Sequence, residues 1–384
     1  MQLTGKKDLI EIIKERIKKE GAIPFKDFMD IALYYPNLGY YTSEKEKIGG
    51  YGDFYTSSEL DPAFGNLLAK QFNEIYKSFF KNESFQIVEI GSGKGYLAYD
   101  VLSYLKDNCP DLYKNLEFIS VEKSKYHRDF QSKLLKDFKN VKLYENLENI
   151  NNINGIIYSN ELFDALPVNL IRKVDGKIFE VYITLENEEV KEVLKEPDKK
   201  ILSYLNDLNI DIPDGMTTEI NLVAKDLIQE IGNKLTKGFV FTVDYGYPSK
   251  ELYKPYRMRG TLLCYYKHTY NENFYQNVGL QDLTSHVNFS ALVFYGKKVD
   301  LDFVGFTDQA HFLISLGLMD IFSKLQEKGD YKSYERLNRL KTLILPKGMG
   351  EKFKILIQAK GIKNPKLTGL KNLPYESDRY KIEV

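Results

Sequence analysis

The segment Ile87-Val88-Glu89-Ile90-Gly91-Ser92-Gly93-Lys94-Gly95-Tyr96-Leu97 constrains this chain more than any other. A short apolar run carries an acid near its end, three alternating glycines follow, and helical periodicity takes over. That order predicts a strand, a tight turn and a helix start. Glycine leaves no Cβ in the way, so the backbone N–H groups of such a turn can approach a ligand closely. Glu89 is placed to receive a positively charged or hydroxyl-bearing group. The surrounding pattern repeats the theme from about residue 85 onward. Short apolar strands (Phe85–Glu89, Glu117–Val121, Val141–Tyr144, Gly155–Ser159, Phe239–Asp244, and a final pair including Phe353–Ala359) alternate with amphipathic helices at about 95–106 and 124–138. This alternation predicts an α/β fold with a doubly wound, mainly parallel sheet.

Three ligands compete for a glycine turn of this kind. A dinucleotide fingerprint wants its third glycine where Tyr96 stands. A phosphate-binding P-loop needs Ser or Thr after Gly-Lys, but Gly95 follows Lys94, and the required upstream glycine is missing. S-adenosylmethionine (SAM) becomes the leading candidate, with a dinucleotide as runner-up. Glu122 ends a second apolar run, Phe118–Val121, where an acid can hold ribose hydroxyls. NAD proteins use the same device, so Glu122 points to a nucleoside without choosing between the two.

With 384 residues, 43% of them hydrophobic, the chain can bury a large core. Lys+Arg and Asp+Glu balance at 54 each, which gives no broad attraction to nucleic acid or an anionic membrane. The two cysteines, Cys109 and Cys264, support neither a disulfide framework nor a cysteine-rich zinc site. The amino-terminal helix carries Leu9, Ile10, Ile13 and Ile17 on one face, and acids among its lysines, unlike an acid-poor presequence. No apolar run reaches membrane-span length. A cytoplasmic protein without membrane insertion is expected. The organisation expected is a helix and lid-like loop at 1–60, a core segment at 61–169, and an insertion with a hairpin and helices at 170–236. A core strand at 237–247, a second insertion at 248–300, and helices with closing strands at 301–384 complete it. Asp61-Pro62 predicts a helix start. The aromatic additions leave room for a homodimer.

Four further stretches carry polar chemistry. Asn160-Glu161-Leu162-Phe163-Asp164-Ala165-Leu166-Pro167 follows the fourth core strand, where residues of an open parallel sheet face the ligand crevice. The plain alternative is that Asn160 and Asp164 cap the next helix. Gly49–Ser57, with Gly52, Asp53 and Thr56, reads as a lid over the crevice or as a surface loop. Gln281–Phe289 sets Asp282 and His286 four residues apart; two ligands are too few for a metal site, so none is expected. His286 reads as a base or orienting group, or as a structural histidine. Asp244-Tyr245-Gly246 ends the fifth strand with another acid.

These stretches together resemble the MidA-like class I methyltransferases, a family that includes mitochondrial complex I assembly factors. The resemblance spans nearly the whole chain. It includes Leu38-Gly39-Tyr40-Tyr41, Gly52-Asp53-Phe54 with Thr56, Glu89–Gly95, Asn160–Pro167, Asp244-Tyr245-Gly246, Arg259-Gly260-Thr261-Leu262, His268 and Gln281–Ser290. Ser92, Lys94 and Asn288 depart from the residues common in relatives, where Pro, Arg and Asp are frequent. The resemblance implies a seven-stranded, Rossmann-like SAM-binding sheet with substrate-side insertions. For the mitochondrial members it also implies symmetric dimethylation of a protein arginine. On this reading Glu89, Gly91, Ser92, Gly93, Gly95, Glu122, Asn160, Gly52 and Thr56 hold SAM. Glu161, Asp164, His286 and Asp53 serve the acceptor. A methyltransferase acting on a small molecule or RNA, or an assembly chaperone on the same fold, is the alternative.

Overall fold

Seven segments form the path of the eight-stranded central sheet. They are β1 (Phe85–Ile90), β2 (Leu116–Val121), β3 (Val141–Tyr144), β4 (Ile153–Asn160), β5 (Leu235–Tyr247), β6 (Asp302–Asp308) and β7 (Phe353–Lys360). The short strand Val287–Asn288 pairs in parallel with the end of β5 at Gly246–Tyr247. The computed structural model describes residues 2–43, 60–267, 269–346, 348–371 and 380–382. The sheet order is β3-β2-β1-β4-β5-β7-β6. The first five strands run parallel, and β7 is antiparallel to β5 and β6. The chain winds outward from β1 to β3 and returns to lay β4 on the other side of β1. Strand order therefore reverses between β1 and β4, where open parallel sheets bind ligands beyond their carboxyl ends.

Two compact units are present, each built from separated stretches. The second unit comprises Tyr55–Leu162, Gln229–Tyr245 and Tyr295–Val384 and contains the sheet. Its strands β1, β2 and β7 are buried along nearly their whole length, so they read as mainly apolar runs rather than as strict alternation, whereas the edge strand β3 is only half-buried or exposed. The helix Ala63–Phe79 lays Phe64, Leu68, Phe72 and Ile75 into that core. The Phe72 ring packs against Tyr158 and Phe241 with centroids 5.3 and 5.5 Å apart. Asp61 accepts the Ala63 N–H at 2.9 Å and both nitrogens of the Arg336 fork at 2.8 and 3.0 Å. The expected helix start thus doubles as an ion pair between the buried Asp61 and the half-exposed Arg336.

The first unit comprises Met1–Phe54, Phe163–Ile228 and Gly246–Phe294. Its five-stranded sheet orders Ile23–Pro24, Lys177–Glu186, Asn169–Val174 and Thr217–Ile220, with Glu189–Lys195 also paired to Lys177–Glu186. Every pairing is antiparallel. Leu9, Ile13 and Ile17 of the helix Lys7–Glu20 are buried in a core shared with Val181 and Ile183 of the sheet. Ile10, expected on the same face, is only half-buried. A smaller sheet pairs Leu263–Tyr266 with Thr269–Asn271 and Asp282–Thr284. Among the described residues, no helix is long and apolar enough to cross a membrane.

Candidate functional site

The glycine turn opens at the carboxyl end of β1. Gly91, Gly93 and Gly95 all have positive φ, at 73°, 53° and 82°, and Tyr96 begins the helix Tyr96–Asn108. The turn is pinned from beneath. Gly93 donates its N–H to Glu122 Oε2 at 2.8 Å, and its carbonyl accepts from Gln131 Nε2 at 2.6 Å. Glu122 Oε1 accepts the Ser124 N–H at 2.7 Å, so each carboxylate oxygen holds one backbone group and keeps lone pairs for another donor. Among the described residues, a Cβ on Gly93 would meet nothing within 4 Å, so none of them covers the outer side of the turn.

Gln131 is a participant that the sequence reading missed. It is fully buried and joins Ser92 and Ser120 in a closed hydrogen-bonded ring, with Ser92 Oγ within hydrogen-bonding distance of both partners. A Cβ on Gly95 would lie 2.8 Å from Gln131 Cγ. A polar residue on an amphipathic helix gives no sequence signal for such a role.

Glu89 is buried, and its Oε2 has no hydrogen-bond partner among the described residues. Burial pushes its carboxyl from 4.5 up to about 8; the Glu122 charge adds to the rise, and the adjacent Tyr158 hydroxyl opposes it without forming a well-shaped hydrogen bond. Asp100 is likewise raised to about 7, by burial first and the Asp61 charge second. A native carboxyl that holds its proton longer than the unfolded chain does makes stability fall as pH rises. For Glu89 the window runs from about 4.5 to about 8, with a slope of up to about 1.4 kcal/mol per pH unit for one proton. The Glu89→Gln variant is therefore expected to match or trail the wild type at pH 4 and to exceed it above pH 8. Urea unfolding across this range checks the difference; a wild-type-minus-variant stability that does not fall with pH would refute it.

The carboxyl end of β4 supplies the other half of the crevice. Glu161 sits in the left-handed region with φ 53°, rare for a residue with a side chain, and donates its N–H to Val243 O at 3.0 Å. Asn160 Nδ2 donates to Glu161 Oε1 at 3.0 Å, while Asn160 Oδ1 is buried without a hydrogen-bond partner among the described residues. Asp244, fully buried at the end of β5, accepts the Leu162 N–H at 3.2 Å and the Tyr245 N–H at 2.9 Å. The strained turn is thus fixed on both sides of Glu161. Gly91, Ser92, Gly93, Gly95, Glu89, Glu122, Asn160 and Glu161 all belong to the second unit.

Asp164 and His286 belong to the first unit. Asp164 is buried, and its carbonyl accepts the Ser285 N–H at 2.9 Å. It starts no helix, since the chain continues through turns to the strand at Asn169. His286 is half-buried, its N–H donating to Thr261 Oγ1 at 2.9 Å and its ring 5.4 Å from that of Tyr247. Asp282 accepts from the Tyr41 hydroxyl through both oxygens at 2.8 Å. Tyr41 stacks on Tyr34, and its own pKa is held well above the usual range by burial and by the Asp282 charge. Asn288 accepts the Ala291 N–H at 3.2 Å as a helix start and donates towards the Tyr204 and Tyr253 hydroxyls. Gly52, Asp53, Thr56 and His268 lie outside the described residues. Among the described residues, no group of three or more His, Cys, Asp or Glu could hold a metal.

A parallel sheet whose order reverses beside a glycine turn and two acid-tipped strands defines an enzyme of nucleoside-type cofactor chemistry. Residues 67–307 match a family of S-adenosyl-L-methionine-dependent methyltransferases, and the chain belongs to that family. A Burkholderia thailandensis crystal structure bound to S-adenosyl-homocysteine superposes with a TM-score of 0.85 at 28% identity, covering 96% of each chain. "Protein arginine methyltransferase NDUFAF7, mitochondrial" from Bos taurus is 28% identical over 89% of this chain and 81% of its own length. The Caenorhabditis elegans homologue of that protein is 26% identical over 90% and 85%. The protein is a SAM-dependent methyltransferase. These relatives are named mitochondrial, which overturns the cytoplasmic expectation. Low cysteine content fits any reducing compartment, so it never discriminated. The residues around the turn fit SAM: the orphaned acceptors Glu89 Oε2 and Asn160 Oδ1 match the donors of an amino acid and a nucleoside, and the open face of Gly93 leaves room for them.

Proposed function

We propose that this methyltransferase modifies the side chain of an arginine in a protein acceptor. Its Glu161 carboxylate, held in a strained backbone conformation beside orphaned acceptors, is the observation that carries the reading. The names of the bovine and nematode relatives support it. Glu89, Gly91, Ser92, Gly93, Gly95, Glu122 and Asn160 hold SAM in this proposal, with Gly52 and Thr56 assisting. When bound, SAM supplies an electrophilic methyl group on a sulfonium. Glu161 takes charge-assisted hydrogen bonds from the guanidinium and aims one nitrogen; Asp164, His286 and Asp53 are the further candidates for serving the acceptor. A guanidinium is a poor nucleophile while its lone pairs are delocalised, so orientation and proton removal decide the rate. The attacking nitrogen forms the new N–C bond as the S–C bond breaks, and its proton passes to a carboxylate or the His286 imidazole. Burial that excludes water makes those hydrogen bonds count for more.

Incubating the protein with methyl-labelled SAM and cell lysate tests this directly. Label is expected in protein and, after acid hydrolysis, in symmetric dimethylarginine. Label found in RNA or in a small molecule would replace the proposal with that acceptor.

A further inference from the structure

The Arg259-Gly260-Thr261-Leu262 turn has no place in the scheme above, yet it is tied to a buried carboxylate of the first unit that accepts four hydrogen bonds. Glu219 lies in the strand Thr217–Ile220 and is 6% exposed. Its Oε1 accepts the N–H groups of Thr261 at 2.8 Å and Leu262 at 2.7 Å. Its Oε2 faces the hydroxyls of Thr218 and Thr261, each at 3.3 Å. Gly260 has φ 73°, and a Cβ there would lie 2.4 Å from Oε1, so only glycine lets the turn close on the carboxylate. The Tyr253 hydroxyl reaches the Glu219 carbonyl at 3.3 Å, and the Thr217 N–H reaches Met258 O at 2.9 Å. From Thr261 the chain of contacts continues: its Oγ1 accepts the His286 N–H at 2.9 Å, and the preceding Ser285 N–H donates to Asp164 O at 2.9 Å.

We infer that Glu219 is a positioning residue for the acceptor: through Thr261 it sets the backbone that carries His286 and adjoins Asp164. The inference rests on the reading that those two residues serve the acceptor. A carboxylate suits the task because one oxygen must accept two N–H groups, and neither group can turn to water once buried. Glu219 itself touches no acceptor. Its removal loosens where the acceptor is held and leaves the SAM-binding turn, in the other unit, as it was.

Three variants of the full chain test this: Glu219→Ala, Glu219→Gln and Thr261→Val. The measurements are hydrogen exchange at the His286 amide, the SAM dissociation constant, and the half-saturating concentration of the lysate acceptor together with the maximal rate. Glu219→Ala and Thr261→Val are expected to speed exchange at His286 about tenfold and to raise half-saturation about tenfold. Their maximal rates should stay within about threefold of wild type, and their SAM dissociation constants should not move. Glu219→Gln should restore both readouts, since an amide oxygen also accepts two N–H groups. Unchanged exchange or unchanged half-saturation in Thr261→Val overturns the inference. So does a parallel loss of SAM affinity, the mark of general destabilisation. If Glu219→Ala does not fold, Thr261→Val decides alone. Failure of the underlying acceptor reading shows separately, as wild-type label outside protein arginine.

Discussion

Methyl transfer by the Glu161→Gln variant is expected to fall about 10- to 150-fold in kcat/KM, with SAM affinity within about twofold of wild type. The substitution keeps the volume, the backbone and the neighbours of the side chain. The residue-161 N–H still reaches Val243 O, the Leu162 N–H still reaches Asp244, and the Asn160 amide still finds an oxygen on residue 161. What is lost is the charge. A hydrogen bond to a charged group contributes roughly 1.5–3 kcal/mol, which converts to the range given. SAM affinity should hold because the cofactor contacts proposed for the glycine turn, Glu89 and Glu122 are untouched. Single-turnover transfer from labelled SAM and calorimetric SAM binding measure the two quantities. Full transfer activity would remove Glu161 from the acceptor site. A second variant, Glu161→Gly, separates function from architecture. Left-handed backbone costs a residue with a side chain roughly 1–2 kcal/mol, so this variant should melt no earlier than wild type while losing activity.

The sequence made the central sheet legible because its inner strands are buried along nearly their whole length. Ile156–Tyr158 is an unbroken apolar run, and Ile87–Ile90 and Ile119–Val121 are each interrupted by one buried polar residue, Glu89 and Ser120; all three are followed by glycine or polar residues at the crevice. The first unit was harder to read. Its hairpin was visible in Asp175-Gly176, whereas Glu189–Lys195 shows mostly charged residues because only Val190 is buried and the strand pairs along one side. Thr217–Ile220 is too short to produce a pattern of its own. At the site, residue types and positions were visible but their engagements were not. Glu122 could be read as a ribose acceptor, while its hold on the Gly93 N–H depends on the turn's geometry. The φ of Glu161 carries no signature in an Asn-Glu-Leu string. Glu219 had one available signal, a lone acid in an otherwise uncharged strand, and its meaning emerged only when Gly260 was seen to close upon it.

Gly93→Val is expected to remain folded and to lose SAM binding by at least about 100-fold. Among the described residues the new side chain collides with nothing, since a Cβ on Gly93 has none of their heavy atoms within 4 Å. The folding cost is therefore mainly the left-handed φ of 53°, roughly 1–2 kcal/mol and somewhat more for a β-branched residue. The valine would fill the space on the open side of the turn, where backbone and ligand must come together. Relief of its backbone strain would also tug on the N–H held by Glu122 and the carbonyl held by Gln131, tilting the acid proposed to hold the ribose. Gly176→Val is the matched control. Its φ is 76°, a Cβ there is equally unobstructed, and it lies in the first-unit hairpin. Both variants should show similar losses of melting temperature, but only Gly93→Val should show lost calorimetric heat with SAM. Equal SAM affinity in the two would mean that the turn's open face is not where the cofactor lies.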